Sequence, residues 1–137
     1  ARIKRKVLPH KEIVAGIIWQ REKFLITKRE DNSLLGGLWE FPGGEIASIE
    51  TPIGALRRQI KEKWDININI KKRVGYVKHA YSHFKITLTL YRCQTQGSVK
   101  SMNKKYRWIT PAEIKNYPFP KSNHKLFDVL NSNGWNV

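Results

Sequence analysis

Apolar and polar positions follow one another along this chain in patterns that predict several strands around one long helix. Residues 12–20, EIVAGIIWQ, are almost continuously apolar, which is typical of a strand buried on both faces of a sheet. A short polar turn then leads into residues 24–29, FLITKR, and this predicts a hairpin. From residue 84 to residue 91 every second position is apolar, which predicts a half-buried strand. Residues 106–109 predict a further short strand.

The long helix is predicted to begin at Pro52. Threonine is a common N-cap residue, so Thr51 fits the cap, and proline is favoured at the first helical position. Apolar residues then recur at steps of three and four and form one stripe, which consists of Ile53, Leu56, Ile60 and Trp64. Two shorter helices are predicted near the end, one opened by a capping box at residues 110–113 and one over residues 122–131.

This order of elements predicts an α/β fold in which a mixed sheet lies between layers of helices. The chain has 137 residues, which is enough for one domain with a sizeable core. Residues 1–10 are basic and show no periodicity, so we interpret them as a linker or tail. Residues 11–137 are predicted to form the domain.

Composition adds a charge signal and excludes some classes of protein. The chain has 26 Lys and Arg against 11 Asp and Glu, and its net charge of +15 favours a polyanionic partner, with nucleic acid as the first choice. A hydrophobic fraction of 40% argues against disorder. The single cysteine, Cys93, excludes an internal disulfide and a metal centre built from cysteines. The apolar run at residues 13–19 is too short to span a bilayer, so we expect no membrane partner and a cytoplasmic, nucleoid-associated protein.

One face of the long helix carries the charges that bear on chemistry. Gln59, Glu62 and Lys63 are three and four residues apart and therefore lie close together. Three carboxylates at these positions would form an oxygen-rich magnesium site beside a diphosphate. The charges here are zero, minus one and plus one, so we expect weak magnesium affinity. Of the carboxylates in this region, Glu50 and Glu62 remain as candidate metal ligands.

This segment resembles the Nudix box, whose pattern is G-x5-E-x7-R-E-U-x-E-E-x-G-U, with U an aliphatic residue. The positions in register are Gly44, Glu50, Arg58, Ile60, Glu62 and Ile66. The departures are Gln59 and Lys63 in place of carboxylates and Asp65 in place of glycine. The resemblance implies a Nudix fold, an α/β/α sandwich with a mixed β-sheet. The departures predict a degenerate box without catalytic residues.

A second motif narrows the resemblance. Residues 76–84, YVKHAYSHF, resemble the Phe-Ser-His loop in the C-terminal Nudix-like domain of adenine DNA glycosylases of the MutY family. The resemblance implies that Ser82 hydrogen-bonds 8-oxoguanine, that Tyr81 stacks beside this base, and that His83 lies near the base and the DNA backbone. The runs LLGGLWEFPGG and RWITPAEIKNYPFP agree with the same family.

The glycosylase resemblance implies a monomeric recognition module for 8-oxoguanine opposite adenine in base excision repair. Its partners would be double-stranded DNA containing 8-oxoguanine and an N-terminal glycosylase catalytic domain. That domain would carry the 4Fe-4S cluster, and this chain by itself would hold no cofactor.

Two alternatives stay open on the sequence. One is a Nudix pyrophosphohydrolase that acts on 8-oxo-dGTP or another nucleoside triphosphate with Mg²⁺, held by Glu50 and Glu62 with help from Glu45 or Glu40. The other is a nucleotide-binding regulator. Gln59 and Lys63 oppose hydrolysis, whereas the Tyr81-Ser82-His83 loop favours lesion binding.

Overall fold

The structure is a computed structural model, and it describes residues 7–99 and 105–135. Most of the predicted basic tail, residues 1–6, lies outside the described residues. The elements in chain order are β1 (His10–Gln20), β2 (Lys23–Lys28), β3 (Trp39–Glu40), β4 (Gly43–Glu45), α1 (Pro52–Trp64), β5 (Asn69–Ala80), β6 (Lys85–Gln94), β7 (Tyr106–Ile109), a 3-10 helix (Pro111–Asn116) and α2 (Lys121–Ser132).

Strand β1 is the centre of a mixed sheet, as its apolar run predicts. The main strand order is β3-β2-β1-β6-β5, while β4 pairs with β1 and β7 pairs with β2. Strands β1 and β6 are parallel over ten residue pairs, and the other pairings are antiparallel. The predicted hairpin and the strand at residues 106–109 are confirmed. After α1 the chain forms strand β5, which pairs with β6 with two register shifts.

Helices cover both faces of the sheet, which confirms the α/β/α sandwich. Alternate side chains of β1 point to opposite faces: Val14 and Ile18 pack towards α1, whereas Ala15 and Ile17 pack towards α2. Cys93 is buried in the layer beside α1, and its burial raises the pKa of the thiol to about 12. Trp39 is also buried, so its role is in the core.

Helix α1 begins where the sequence predicts. The Thr51 side chain accepts a hydrogen bond from the Gly54 N–H at 3.1 Å. The helix ends at Asp65, whose φ of 50° is left-handed, and the Asp65 N–H bonds the Lys61 carbonyl. The predicted apolar stripe is wrong at one position, because Ile53 is 43% exposed and Ala55 takes its place in the core. Ile53 lies in the first turn of the helix.

No helix within residues 7–99 and 105–135 has the length and hydropathy needed to cross a membrane.

Candidate functional site

A cavity of about 430 Å³ opens between the sheet and the start of α2. This volume lies within the range of small-molecule sites, roughly 300–1,000 Å³. Its inner wall is apolar and is formed by β1 and β6, with Ile13, Ile86 and Leu88 among the lining residues. The start of α2 contributes polar groups, and strand β4 with one face of α1 forms the mouth. We call this space the central cavity.

Two glycines let β4 pack closely at the mouth, Gly43 against the backbone of β1 and Gly44 against the flexible end of the Gln59 side chain. At Gly43 a Cβ would lie 2.0 Å from the Val14 carbonyl oxygen, so only glycine lets β4 lie this close to β1. At Gly44 a Cβ would lie 2.4 Å from the Gln59 side chain. The two glycines belong to β4, which lies against both β1 and α1.

Helix α1 closes on β4 through two hydrogen bonds from the altered box positions. Gln59 Nε2 donates to the Glu45 carbonyl oxygen at 2.9 Å. Lys63 Nζ donates to the Gly43 carbonyl oxygen at 2.7 Å. Both side chains line the central cavity, so the two departures from the Nudix pattern lie together at its mouth.

The other box residues form an ion network beside the cavity. Arg58 donates to both carboxylate oxygens of Glu50, at 2.6 and 2.7 Å, and to Glu62 at 3.2 Å. The Arg58 hydrogen bonds and the Ala47 N–H lower the pKa of Glu50 to about 2, and Glu50 in turn raises the pKa of Arg58. Neither glutamate lines the cavity. The network fixes the loop before α1 on the helix.

A second ion pair lies inside the cavity wall. Arg29 Nη1 contacts both carboxylate oxygens of Glu40, at 3.1 and 3.0 Å. Burial raises the pKa of Glu40, although the charges of Arg29 and Lys63 act against this rise. Arg29 therefore holds the Glu40 carboxylate in the cavity wall, and Lys63 lines the same cavity.

The three residues of the predicted recognition loop lie in different environments. Tyr81 lines the cavity, whereas Ser82 and His83 are exposed and do not line it. The Tyr81 hydroxyl donates to Ser122 Oγ at 2.8 Å and accepts from the Ser122 N–H at 3.1 Å. The ring also stacks on Phe84, with centroids 5.0 Å apart. Tyr81 is thus held between β6 and α2 as part of the wall.

Asn123 is a site residue that the sequence interpretation missed. It is only 5% exposed, lines the cavity, and accepts from the Phe41 N–H through Oδ1 at 3.4 Å. A signal was present in the sequence, because Asn123 shares the buried face of α2 with Leu126, Phe127 and Leu130. A polar residue on an apolar helix face needs a polar partner.

Comparison with known proteins agrees with this fold. Residues 14–129 match the family described as NUDIX domain. The chain belongs to the Nudix family. It is 29% identical over 124 residues to an 8-oxo-dGTP diphosphatase of Buchnera aphidicola subsp. Schizaphis graminum, a match that covers 90% of this chain and 95% of that protein. The MutT protein from Methanosarcina mazei Go1 has the same fold, with a TM-score of 0.85 at 20% identity over 95% of this chain and 99% of that one.

The interpretation as the recognition domain of an adenine DNA glycosylase is wrong on these comparisons. The human adenine DNA glycosylase is 27% identical over 111 residues, and the match covers 78% of this chain but only 20% of that protein. The diphosphatase matches a larger part of this Nudix chain and nearly all of its own length. The two partners inferred from the glycosylase resemblance, DNA containing 8-oxoguanine and a glycosylase catalytic domain, are therefore also wrong. The comparisons favour the Nudix hydrolase alternative.

Nudix hydrolases typically use Mg²⁺, but the side chains of this box do not fit that ion. Gln59 and Lys63 bring amide and ammonium donors to the mouth, where a metal needs oxygen ligands. Glu50 and Glu62 are both engaged by Arg58. Among residues 7–99 and 105–135, no group of three or more His, Cys, Asp or Glu side chains is placed to hold a metal ion.

Proposed function

We propose that this chain is a MutT-like Nudix hydrolase for nucleoside triphosphates of the 8-oxo-dGTP class. The base would lie in the central cavity and the phosphates at its mouth. The observation that carries this proposal is the shape and chemistry of the cavity, which is apolar along the sheet, polar at Asn123, and cationic towards Lys63. The likeness to an 8-oxo-dGTP diphosphatase over most of both chains supports the same substrate class.

The inner part of the cavity suits a purine base. The apolar side chains of β1 and β6 offer a surface for the faces of a planar ring. The Asn123 amide oxygen accepts from the Phe41 N–H and has a second lone pair for the edge of the base, while the NH₂ group supplies two donors. Oxidation of guanine turns N7 from an acceptor into a donor and adds an oxygen at C8, so an amide oxygen can accept from the N7–H of the oxidised base alone. Asn123 is therefore the residue that we expect to distinguish 8-oxoguanine from guanine.

The proposed reaction is hydrolysis of a phosphoanhydride bond. Water adds across one P–O–P linkage, and a nucleoside triphosphate yields a nucleoside monophosphate and pyrophosphate. The Nudix pattern has carboxylates at positions 59, 62 and 63 of the helix, and this chain keeps only Glu62. We therefore expect turnover well below the usual enzyme range of roughly 1–1,000 per second. The protein's own contribution is to bind the base, hold the triphosphate against the mouth and exclude water from the inner cavity.

The test is a nucleotide hydrolysis assay at high protein concentration over hours. It would compare 8-oxo-dGTP, dGTP and CTP and resolve the products by anion-exchange chromatography. We expect slow conversion of 8-oxo-dGTP to its monophosphate, faster than conversion of dGTP, and a loss of this preference in Asn123→Ala. Absence of both hydrolysis and binding for all three nucleotides would overturn the proposal.

A further inference from the structure

The cavity mouth contains a positive charge that a hydrogen bond holds beside a backbone carbonyl oxygen. Lys63 Nζ lies 2.7 Å from the Gly43 carbonyl oxygen, and Lys63 and Glu40 both line the cavity. The positive charge of Lys63 also opposes the rise that burial causes in the pKa of Glu40. A carbonyl and a carboxylate are the hard oxygen ligands that Mg²⁺ or Ca²⁺ prefers. Here an ammonium group is hydrogen-bonded to the carbonyl oxygen of Gly43.

The net charge of the side chains that line the cavity favours binding of an anion even when no metal ion is added. Among the described residues that line it, the cations are Lys11, Arg29 and Lys63, and the carboxylates are Glu40 and Glu45. The lining therefore carries one net positive charge. Carboxylates at positions 59 and 63 would change the lining to two cations and four carboxylates, and such a wall would repel a triphosphate until metal ions bound.

We propose that the Lys63 ammonium takes the place of a divalent cation at the cavity mouth, so that this chain binds the phosphates of a nucleotide directly and without Mg²⁺. This inference rests on the proposed function, because it assumes that the cavity takes a nucleotide. The attraction between the ammonium charge and phosphate oxygens acts in addition to the hydrogen bond that holds Lys63 on Gly43. That bond keeps the charge at the mouth, since it ties the side chain to β4.

Lys63 differs in this respect from its neighbour Lys61. Lys61 lies on the same helix, but it pairs with Asp65 at 2.9 Å and does not line the cavity. The two lysines therefore form a matched pair for an experiment. Removal of either lysine charge lowers the net charge of the protein by the same amount. Only the substitution of Lys63 changes the cavity mouth.

The experiment is calorimetric binding of 8-oxo-dGTP, with a non-hydrolysable α,β-imido analogue of dGTP as a second probe, in excess EDTA and again in MgCl₂. Wild type should bind in EDTA, and Mg²⁺ should leave the affinity unchanged or lower it, because the metal neutralises part of the phosphate charge. Lys63→Met should weaken binding in EDTA by about tenfold or more, as expected for loss of a partly buried charge contact. Lys63→Arg should restore most of the affinity, and Lys61→Met should bind as wild type does.

The outcomes separate this inference from the proposed function. Nucleotide binding that needs Mg²⁺ and disappears in EDTA would overturn the inference and leave the proposed function standing. Equal affinities of Lys63→Met and wild type in EDTA would also overturn it. Failure of wild type to bind either nucleotide in both buffers would overturn the proposed function and this inference together. Thermal melting of each variant would confirm that a loss of binding is not a loss of fold.

Discussion

Lys63 donates a hydrogen bond to the carbonyl oxygen of Gly43, at 2.7 Å, across the mouth of the central cavity. This contact joins the box helix to strand β4 and brings a positive charge to the place where the Nudix pattern supplies a carboxylate. The same side chain thus supports the architecture of the site and reverses its charge. A Nudix fold with this arrangement keeps a cavity of about 430 Å³ while losing ligands for a metal.

Restoring the two missing carboxylates should create magnesium affinity. In Gln59→Glu with Lys63→Glu, the two new carboxylates would present oxygen ligands beside the Gly43 and Glu45 carbonyls. We expect Mg²⁺ to bind about tenfold or more tightly than to wild type by calorimetry, and nucleotide hydrolysis to become faster. Lys61→Glu is the control, because it adds a carboxylate to the same helix away from the cavity. Unchanged magnesium affinity in the double variant would show that the mouth does not accommodate the ion.

Base selectivity should depend on Asn123 and not on Ser82. Asn123 lines the cavity, whereas Ser82 is exposed and does not. In competition binding of 8-oxo-dGTP against dGTP, Asn123→Ala should reduce the preference by about 1–3 kcal/mol, the range for loss of a discriminating base contact. Ser82→Ala should keep the wild-type preference. The opposite pattern would move recognition to the β5–β6 loop.

Tyr81 should contribute to stability through its hydroxyl group. That hydroxyl makes two hydrogen bonds with Ser122 and joins the β5–β6 loop to α2. Tyr81→Phe leaves the Ser122 N–H without this acceptor, so we expect the free energy of unfolding to fall by about 1–2 kcal/mol in urea titrations. Tyr76→Phe is the matched control, since Tyr76 is 51% exposed. Equal stability of the two variants would show that water replaces the Tyr81 contact without cost.

Most of the architecture could be predicted from the sequence, because its elements are marked locally. The apolar run of β1 and the Thr51-Pro52 start of α1 are such local signals, and both agree with the structure. The parallel pairing of β1 with β6 joins residues more than seventy positions apart, and no local pattern reports it. The same limit applies to the site: the Lys63–Gly43 bond depends on how α1 packs on β4, and Asn123 becomes a cavity residue only when α2 covers the sheet.

Acid stability should depend on the Glu50–Arg58 pair. Hydrogen bonds from Arg58 and from the Ala47 N–H lower the pKa of Glu50 from its ordinary value of 4.5 to about 2. Because the folded pKa is below the unfolded one, the stabilisation is complete above pH 4.5 and is lost as the pH falls towards 2. Glu50→Gln should therefore be less stable at neutral pH and should lose less stability over that acidic interval.

Thermal melting between pH 7 and pH 2 measures this effect. Glu22→Gln serves as the control, because Glu22 is an exposed glutamate in the β1–β2 turn. Parallel stability curves for Glu50→Gln and wild type across the acidic interval would mean that the ion pair does not persist in solution.

Nuclear magnetic resonance titration of the ¹⁵N-labelled protein with 8-oxo-dGTP is the most direct test of a nucleotide in the central cavity. We predict that the largest shifts fall on the backbone amides of Ile13, Gly43 and Ile86 and on the side-chain amide of Asn123, which together line the inner wall and the mouth. A titration without shifts, or with shifts confined to the distant cleft around Arg21 and Trp108, would contradict a nucleotide site in the central cavity.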